Sequence, residues 1–230
     1  MQNSKPQRVL SAIEAVGPQV HRILRERIIQ AELMPGERIS EAEIAKALSI
    51  SRQPVREAFI KLSEEGLVQV LPQRGTYVTR ISAESVMDVR FVREAIEADI
   101  VRQVASEHRA ATVDELRDQI VRQKQVPHDD RAAFLRLDEL FHHTLATAAG
   151  RAYAWSVIES VKAQMDRVRF LSVDDLQVGR LIEQHERIVD AIASGEVGEA
   201  EQALRMHLRE ILKSLPEIAR SRAEFFDGTE

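Results

Sequence analysis

A chain of 230 residues that is 44% hydrophobic and 30% charged holds apolar material for one large domain or two modest ones, which excludes a disordered class. Cysteine is absent, which excludes disulfides and thiolate metal sites; no apolar run reaches membrane-spanning length and no secretory pattern opens the chain, so a cytoplasmic protein is expected. The net charge of −5 is uneven: residues 1–80 carry 12 Lys/Arg against 9 Asp/Glu, the remainder 20 against 28, so only the first part suits a polyanion.

In chain order, residues 1–17 read as a polar tail, followed by a helix over about 18–31 with Val20, Ile23, Leu24 and Ile28 on one side. Pro35 and Gly36 punctuate a turn, and Ser40 with Glu43 forms a capping box that opens a short helix ending near Leu48. The stretch SISRQPVREAF (49–59) predicts a third helix starting at Arg52 and capped by Ser51, because Pro54 is tolerated in a first turn; Gly66 stops it. LVQVLPQRGTYVTR (67–80) alternates around a turn, giving a β-hairpin with Arg74 and Gly75 at its tip. Three helices and a basic hairpin make a winged helix-turn-helix. Arg52 and Arg56, one turn apart, then face the major groove, where arginine matches guanine O6/N7 or clamps a phosphate; alternatively both are ordinary solvent-facing residues.

Beyond a short hinge at 81–85 the pattern is helical throughout. Six helices are expected, at roughly 83–108, 112–125, 130–148, 151–171, 174–193 and 196–214, with Thr112–Glu115 and Ser172–Asp175 as capping boxes and a frayed polar tail over 216–230. The chain is therefore mainly α, with domains at 1–80 and 81–230.

Polar residues interrupt the apolar stripes of this second part. Asp138 and His142 lie with Phe134, Phe141 and Leu145; His185 lies with Leu181, Ile182 and Ile188; His207 lies with Ala200, Leu204 and Leu208. A buried carboxylate needs a partner, and a divalent metal satisfies one carboxylate and three imidazoles together, zinc foremost, with nickel, manganese or iron as alternatives. The competing reading is separate core histidines, each with its own partner. His21, His108, His128 and His143 read as surface residues. Arg93 falls on the stripe of Val86, Val89, Ile96 and Ile100, where either Glu97 or a ligand carboxylate, or both, partners it. Of Arg167 and Arg169, one is expected at the surface and Arg169 inward.

These residues resemble a known family. PGERISEAEIAKALSISRQPVREAFIKLSEEGLVQVLPQRGTYV (35–78) resembles the GntR-family winged helix. LDELFHHTL (137–145), EQHERIVDAIASGEVGEAEQALRMHL (183–208) and VREAIEA (92–98) resemble the all-helical FCD domain of its FadR subfamily, and six helices favour the VanR-like branch. The resemblance implies a homodimeric regulator, usually a repressor, that binds operator DNA and responds to a small organic or sugar acid. It implies that Arg52 and Arg56 meet DNA with Ser51, Gln53, Arg74 and Gly75 nearby. Asp138, His142, His185 and His207 would hold the metal, and Arg93 would help hold the effector; Arg169 is a weaker effector candidate, from the residue pattern alone. Two departures stand out. Arg151 replaces an asparagine frequent in relatives, and Ala42 replaces a DNA-contacting arginine for which Arg38 can substitute. Two rival functions remain at this stage: a regulator whose metal is purely structural, and a metal-dependent hydrolase.

Overall fold

Val20, Leu24 and Ile28 recur every fourth residue, and burying them requires a helix, α1 (Val16–Ile29). The structure, a computed structural model, describes residues 10–11, 13–127, 129–172 and 175–228. The expected tail over residues 1–9 and at Ala12 lies outside the described residues. The helix starts two residues before Pro18, whose missing amide costs nothing in a first turn. α1 packs on α3 (Arg52–Glu64), which buries Val55, Phe59 and Leu62, with α2 (Glu41–Ala47) alongside α3.

Ser40 caps α2 by accepting from the Glu43 amide at 3.4 Å. Ser51 holds the N-cap position of α3, but its side chain makes no capping bond, which corrects that expectation. The link between the two helices turns at Ser49, which adopts φ +55°. At the far end of α3, Gly66 (φ +70°) lets Leu67 N–H reach Leu62 O at 2.8 Å and its own N–H reach Ser63 O at 3.1 Å. That reversal launches β2 (Val68–Leu71), which pairs antiparallel with β3 (Gly75–Val78) in the register Val68↔Val78 and Leu71↔Gly75. A two-residue strand absent from the sequence reading, β1 (Arg38–Ile39), adds to the other edge of β3, with Arg38 opposite Tyr77. The sheet order is β1–β3–β2. The described residues up to 80 thus close as a winged helix-turn-helix, one of two compact units; the second begins at Ile81.

The second unit contains eight α-helices among the described residues, not six: α4 (Ala83–Glu107), α5 (Ala110–Lys124), α6 (Arg131–Ala148), α7 (Ala152–Val161), α8 (Ala163–Ser172), α9 (Asp175–Ala193), α10 (Val197–Leu208) and α11 (Ile211–Ser221). Helix count therefore does not carry the VanR-like assignment. The expected helix over 151–171 breaks at Lys162, a buried lysine that bonds Glu139 at 2.7 Å and Asp166 at 2.8 Å. Beyond it every residue from Ala163 to Val168 of α8 is buried.

The expected fraying over 216–230 is also corrected up to residue 228. Ile211, Leu215 and Ile218 form a buried i, i+4, i+7 stripe that holds α11 together despite Pro216 within it. Phe225 and Phe226 are buried beyond it, and Ile81 N–H donates to Phe225 O at 2.8 Å while Asp227 N–H donates to Ile81 O at 3.1 Å. Residues 81–85 are therefore not a free hinge: Ile81 is paired and Ser82 caps α4 by accepting from Ser85 N–H at 3.2 Å. Thr112 lies inside α5 rather than capping it, because α4 ends in a left-handed His108 and α5 restarts at Ala110. Ser172 bonds Arg169 O, and the Asp175 side chain of the other expected box lies outside the described residues. Phe134, Phe141, Leu145, Trp155, Ile158 and Leu204 anchor one core that spans α4 to α7, α9 and α10. The metal-type residues line the inside of that core.

Candidate functional site

In the first unit, α3 buries Val55, Ala58, Phe59 and Leu62 and leaves Arg52, Gln53 and Arg56 exposed. Each makes at most surface contacts: Gln53 donates to Glu57 at 3.1 Å, and Arg56 lies 3.4 Å from Glu41. Ser51 and Arg74 are exposed, and Arg74 precedes Gly75 at the tip of the wing. Gly75 has φ +109°, and a Cβ there would stand 2.7 Å from Arg38 Nε. Arg38 therefore lies across the wing tip rather than beside the recognition helix. Ile60 and Val70 are more than half exposed and, with Arg56 and Thr76, line the depression between α3 and the wing. Sequence reasoning passed over Ile60, although it follows Arg56 by one turn on the same face.

In the second unit, three helices bring the four predicted metal-type residues together. α6 supplies Asp138 and His142, α9 His185, and α10 His207; all are buried, and one donor atom from each lies within 4.8 Å of the others. The Nε2 atoms of His142 and His207 are 3.1 Å apart, His185 Nε2 is 3.6 Å from Asp138 Oδ1, and His142 Nε2 is 3.8 Å from Asp138 Oδ2. Phe141 stacks on His185 with centroids 4.2 Å apart and fixes that ring.

The outer nitrogens set the tautomers. His185 Nδ1 meets Gln123 Oε1 at 2.8 Å, and His207 Nδ1 meets Gln184 Oε1 at 3.0 Å. Neither glutamine is ambiguous in orientation, because Gln123 Nε2 donates to Leu137 O at 3.3 Å and Gln184 Nε2 donates to Glu210 Oε2 at 3.0 Å. An amide oxygen only accepts, so both rings carry the proton on Nδ1 and aim an Nε2 lone pair inward. His142 Nδ1 stands 2.6 Å from Glu97 Oε2 as an ion-pair contact without hydrogen-bond alignment, and its Nε2 faces the cluster. Two imidazole Nε2 atoms at 3.1 Å require a positive centre between them, a proton or a metal ion. His185 Nε2 and Asp138 Oδ1 are buried and have no hydrogen-bond partner. A proton between His142 and His207 leaves those two atoms unsatisfied; a metal held by all four residues satisfies them. Two donors about 2.1 Å from a metal stand roughly 3 to 3.5 Å apart, which the shorter separations match.

The charges agree. Burial pushes the His185 imidazole down to about 3 and the His207 imidazole well below its ordinary value, so both are neutral bases at pH 7. Burial pushes the Asp138 carboxyl up, but Arg169 and His142 outweigh it and hold Asp138 far below the usual carboxylate range. Glu97 is similarly held at about 2, burial being outweighed by Arg93 and His142.

A small cavity of about 40 Å³ opens beside the cluster, lined by Arg93, Arg169, Ser172, Gln177, His207 and Glu210 among others. Arg93 Nε donates to Glu97 Oε1 at 2.6 Å. Arg169 Nη2 donates to Asp138 Oδ2. The expectation that one of Arg167 and Arg169 lies at the surface is corrected: Arg167 is buried, and Arg169 is half-buried and turned inward to Asp138. Arg167, 2% exposed, donates to Gln164 Oε1 at 3.2 Å, and burial pushes it down to about 10. Arg151 is exposed and does not line the cavity. His143 and His108 are exposed, His21 bonds Glu65 at 2.5 Å, and His128 lies outside the described residues. Gln123, Gln184 and Glu210 were missed in the sequence, although Gln123 falls on the apolar stripe of Leu116 and Ile120.

Residues 17–78 match the model of the bacterial regulatory proteins of the gntR family, and residues 88–210 match the FCD domain. The HTH-type transcriptional repressor RspR of Escherichia coli (strain K12) is 37% identical over 219 residues, 94% of this chain and 96% of the relative. A solved structure of a GntR transcriptional regulator from Rhodococcus sp. RHA1 is 28% identical, with a TM-score of 0.71 over 87% of this chain and 97% of that one. Escherichia coli McbR/YncC, 17% identical with a TM-score of 0.77 over 89% of this chain and 98% of that one, shares the fold.

Proposed function

The chain belongs to the gntR family of bacterial regulatory proteins and is a DNA-binding transcriptional regulator, and from that premise we propose that it is a metal-dependent repressor controlled by a small carboxylate. It acts as a homodimer on operator DNA. Arg52, Gln53 and Arg56 enter the major groove, Ser51 approaches the backbone at the helix start, and Arg38, Arg74 and Gly75 of the wing follow the adjacent phosphates. Ile60 offers an apolar contact of the kind that meets a thymine methyl.

Asp138, His142, His185 and His207 hold one divalent ion. The donor set suits zinc, with nickel, manganese or iron as alternatives. Bound there, the ion supplies an electrophilic position for an anionic oxygen. Glu97, Gln123 and Gln184 hold the imidazoles in register, and Arg93 and Arg169 receive the remainder of the effector. The observation that carries this reading is the convergence of two anchored Nε2 lone pairs, His142 Nε2 and an unpartnered Asp138 oxygen beside a cavity that carries two arginines. The cavity at His207 favours a sensor over a purely structural metal. The carboxylates near the cluster, Glu97, Asp138 and Glu210, each bond a cation, which counts against a general base for hydrolysis.

Fluorescence anisotropy on a fragment from upstream of the chain's own gene tests the proposal. Zinc-loaded protein is titrated with hydroxy acids, dicarboxylates and sugar acids. One class is expected to change operator affinity at least tenfold, and the change is expected to vanish in Arg93→Ala. Operator binding that is indifferent to metal and to every acid contradicts it.

A further inference from the structure

Arg169 occupies a position that serves two sites. Its guanidinium bonds the Oδ2 atom of Asp138, a carboxylate with no exposed surface, and the same side chain lines the cavity. Met165, Arg169 and Ser172 follow at helical spacing on the face of α8 that meets that cavity. The two arginines of the cavity are not equivalent. Arg93 has a carboxylate outside the metal-type cluster, Glu97, at 2.6 Å. Arg169 has Asp138, which is itself a cluster member.

Among the described residues, two other carboxylates, Asp166 and Glu139, also act on the charge of Arg169, but each is shared with another cation. Glu139 and Asp166 both bond Lys162, at 2.7 and 2.8 Å. Glu210 bonds Arg180 at 2.9 Å, Lys213 at 2.8 Å and Gln184 at 3.0 Å. A guanidinium in contact with Asp138 draws on the same negative charge that a divalent ion needs, and it repels that ion at short range in a buried site.

We infer that Arg169 is a built-in counter-ion that competes with the metal for Asp138 and, once the metal has taken that charge, turns its unmet demand for an anion to the cavity. The inference rests on the metal-centre reading above. It makes the anion site conditional: Arg169 is quenched in the metal-free chain and becomes the anion-seeking group in the loaded one. By linkage, an anion on Arg169 must in turn tighten metal binding by the same factor.

The test is zinc affinity of the full chain, measured by competition with a chromophoric chelator, for wild type, Arg169→Gln, Arg169→Met, Arg169→Lys and His185→Ala. Gln keeps a donor for Asp138 without the charge, so the comparison survives if Met fails to fold. Gln and Met are expected to bind zinc on the order of tenfold more tightly than wild type, and Lys about as wild type does. Zinc affinity in Gln equal to or weaker than wild type overturns the inference, as does a Lys variant that tightens as much as Gln. A wild type that binds zinc no better than His185→Ala overturns the metal centre itself and this inference with it, whereas a tight wild type with an unimproved Gln variant overturns only the role of Arg169.

Discussion

The residues proposed to meet DNA and those proposed to meet a metal are built in opposite ways. Arg52, Gln53 and Arg56 project from a helix whose other face carries the packing, so each is free of structural duty. Asp138, His142, His185 and His207 sit inside the core, and each is tied to a second residue that is itself tied to a third, as in His207–Gln184–Glu210. In the first unit, function should be separable from stability. In the second, every change to the site should also register as a change in folding free energy.

Asp138→Asn probes the buried extreme. It removes the carboxylate and leaves the half-buried Arg169 without its hydrogen-bonded counter-charge, with Asp166 and Glu139 compensating only in part; deleting one partner of a largely buried pair is expected to cost about 2 to 3 kcal/mol. Urea unfolding of metal-free protein should show that loss, together with loss of zinc uptake. An unchanged midpoint would mean that the pair is not held in solution.

Glu94→Gln tests whether the coupling extends beyond the metal-type residues. Glu94 is buried and accepts from Arg90, Arg205 and Arg209, tying α4 to α10. Hydrogen bonding from Arg209 and then from Arg205 holds its carboxyl at about 2, against the opposing effect of burial. Arg205 and Arg209 are partly exposed, so a loss of about 1 to 2 kcal/mol is expected at pH 7. The sign with pH follows from the lowered value: the contribution is complete above about 4.5 and is lost as pH falls toward about 2. The gap between wild type and variant should therefore narrow between pH 4.5 and pH 3. A gap that widens on acidification would contradict the assignment.

At the other end, Arg52→Ala and Arg56→Ala should leave unfolding within about 0.5 kcal/mol of wild type, while each weakens operator binding by roughly 1 to 3 kcal/mol. Destabilisation as large as that of Asp138→Asn would erase the contrast between the units.

The same contrast explains what could be read from the sequence. α1 to α3 and the hairpin were legible because Val20, Leu24 and Ile28, the proline at position 54 and Gly66 are local signals with local consequences. The four metal-type residues were legible because a polar side chain on an apolar stripe is conspicuous. The same signal was available at Gln123 and was not used. The break at Lys162 was invisible: no glycine or proline marks it, and the lysine there is held by Glu139 on another helix, a contact no local pattern announces. α11 was hidden by Pro216 and by a polar composition, although Ile211, Leu215 and Ile218 carry a helical stripe. β1 is two residues long and exists only because β3 offers it an edge. The cavity partner of Arg169, Asp138, lies 31 residues away on a different helix, a distance at which neither spacing nor charge pattern speaks.

One measurement bears most directly on the metal centre: the metal content and uptake of chelator-stripped full-length protein, wild type beside His207→Ala. The account predicts one tightly bound zinc, nickel, manganese or iron per wild-type chain, a rise in melting temperature on loading, and neither effect in the variant. A wild-type chain that takes up none of the four, with a melting curve indifferent to all of them, would contradict it. Asp138, His142, His185 and His207 would then be a buried polar network with a proton between two imidazoles.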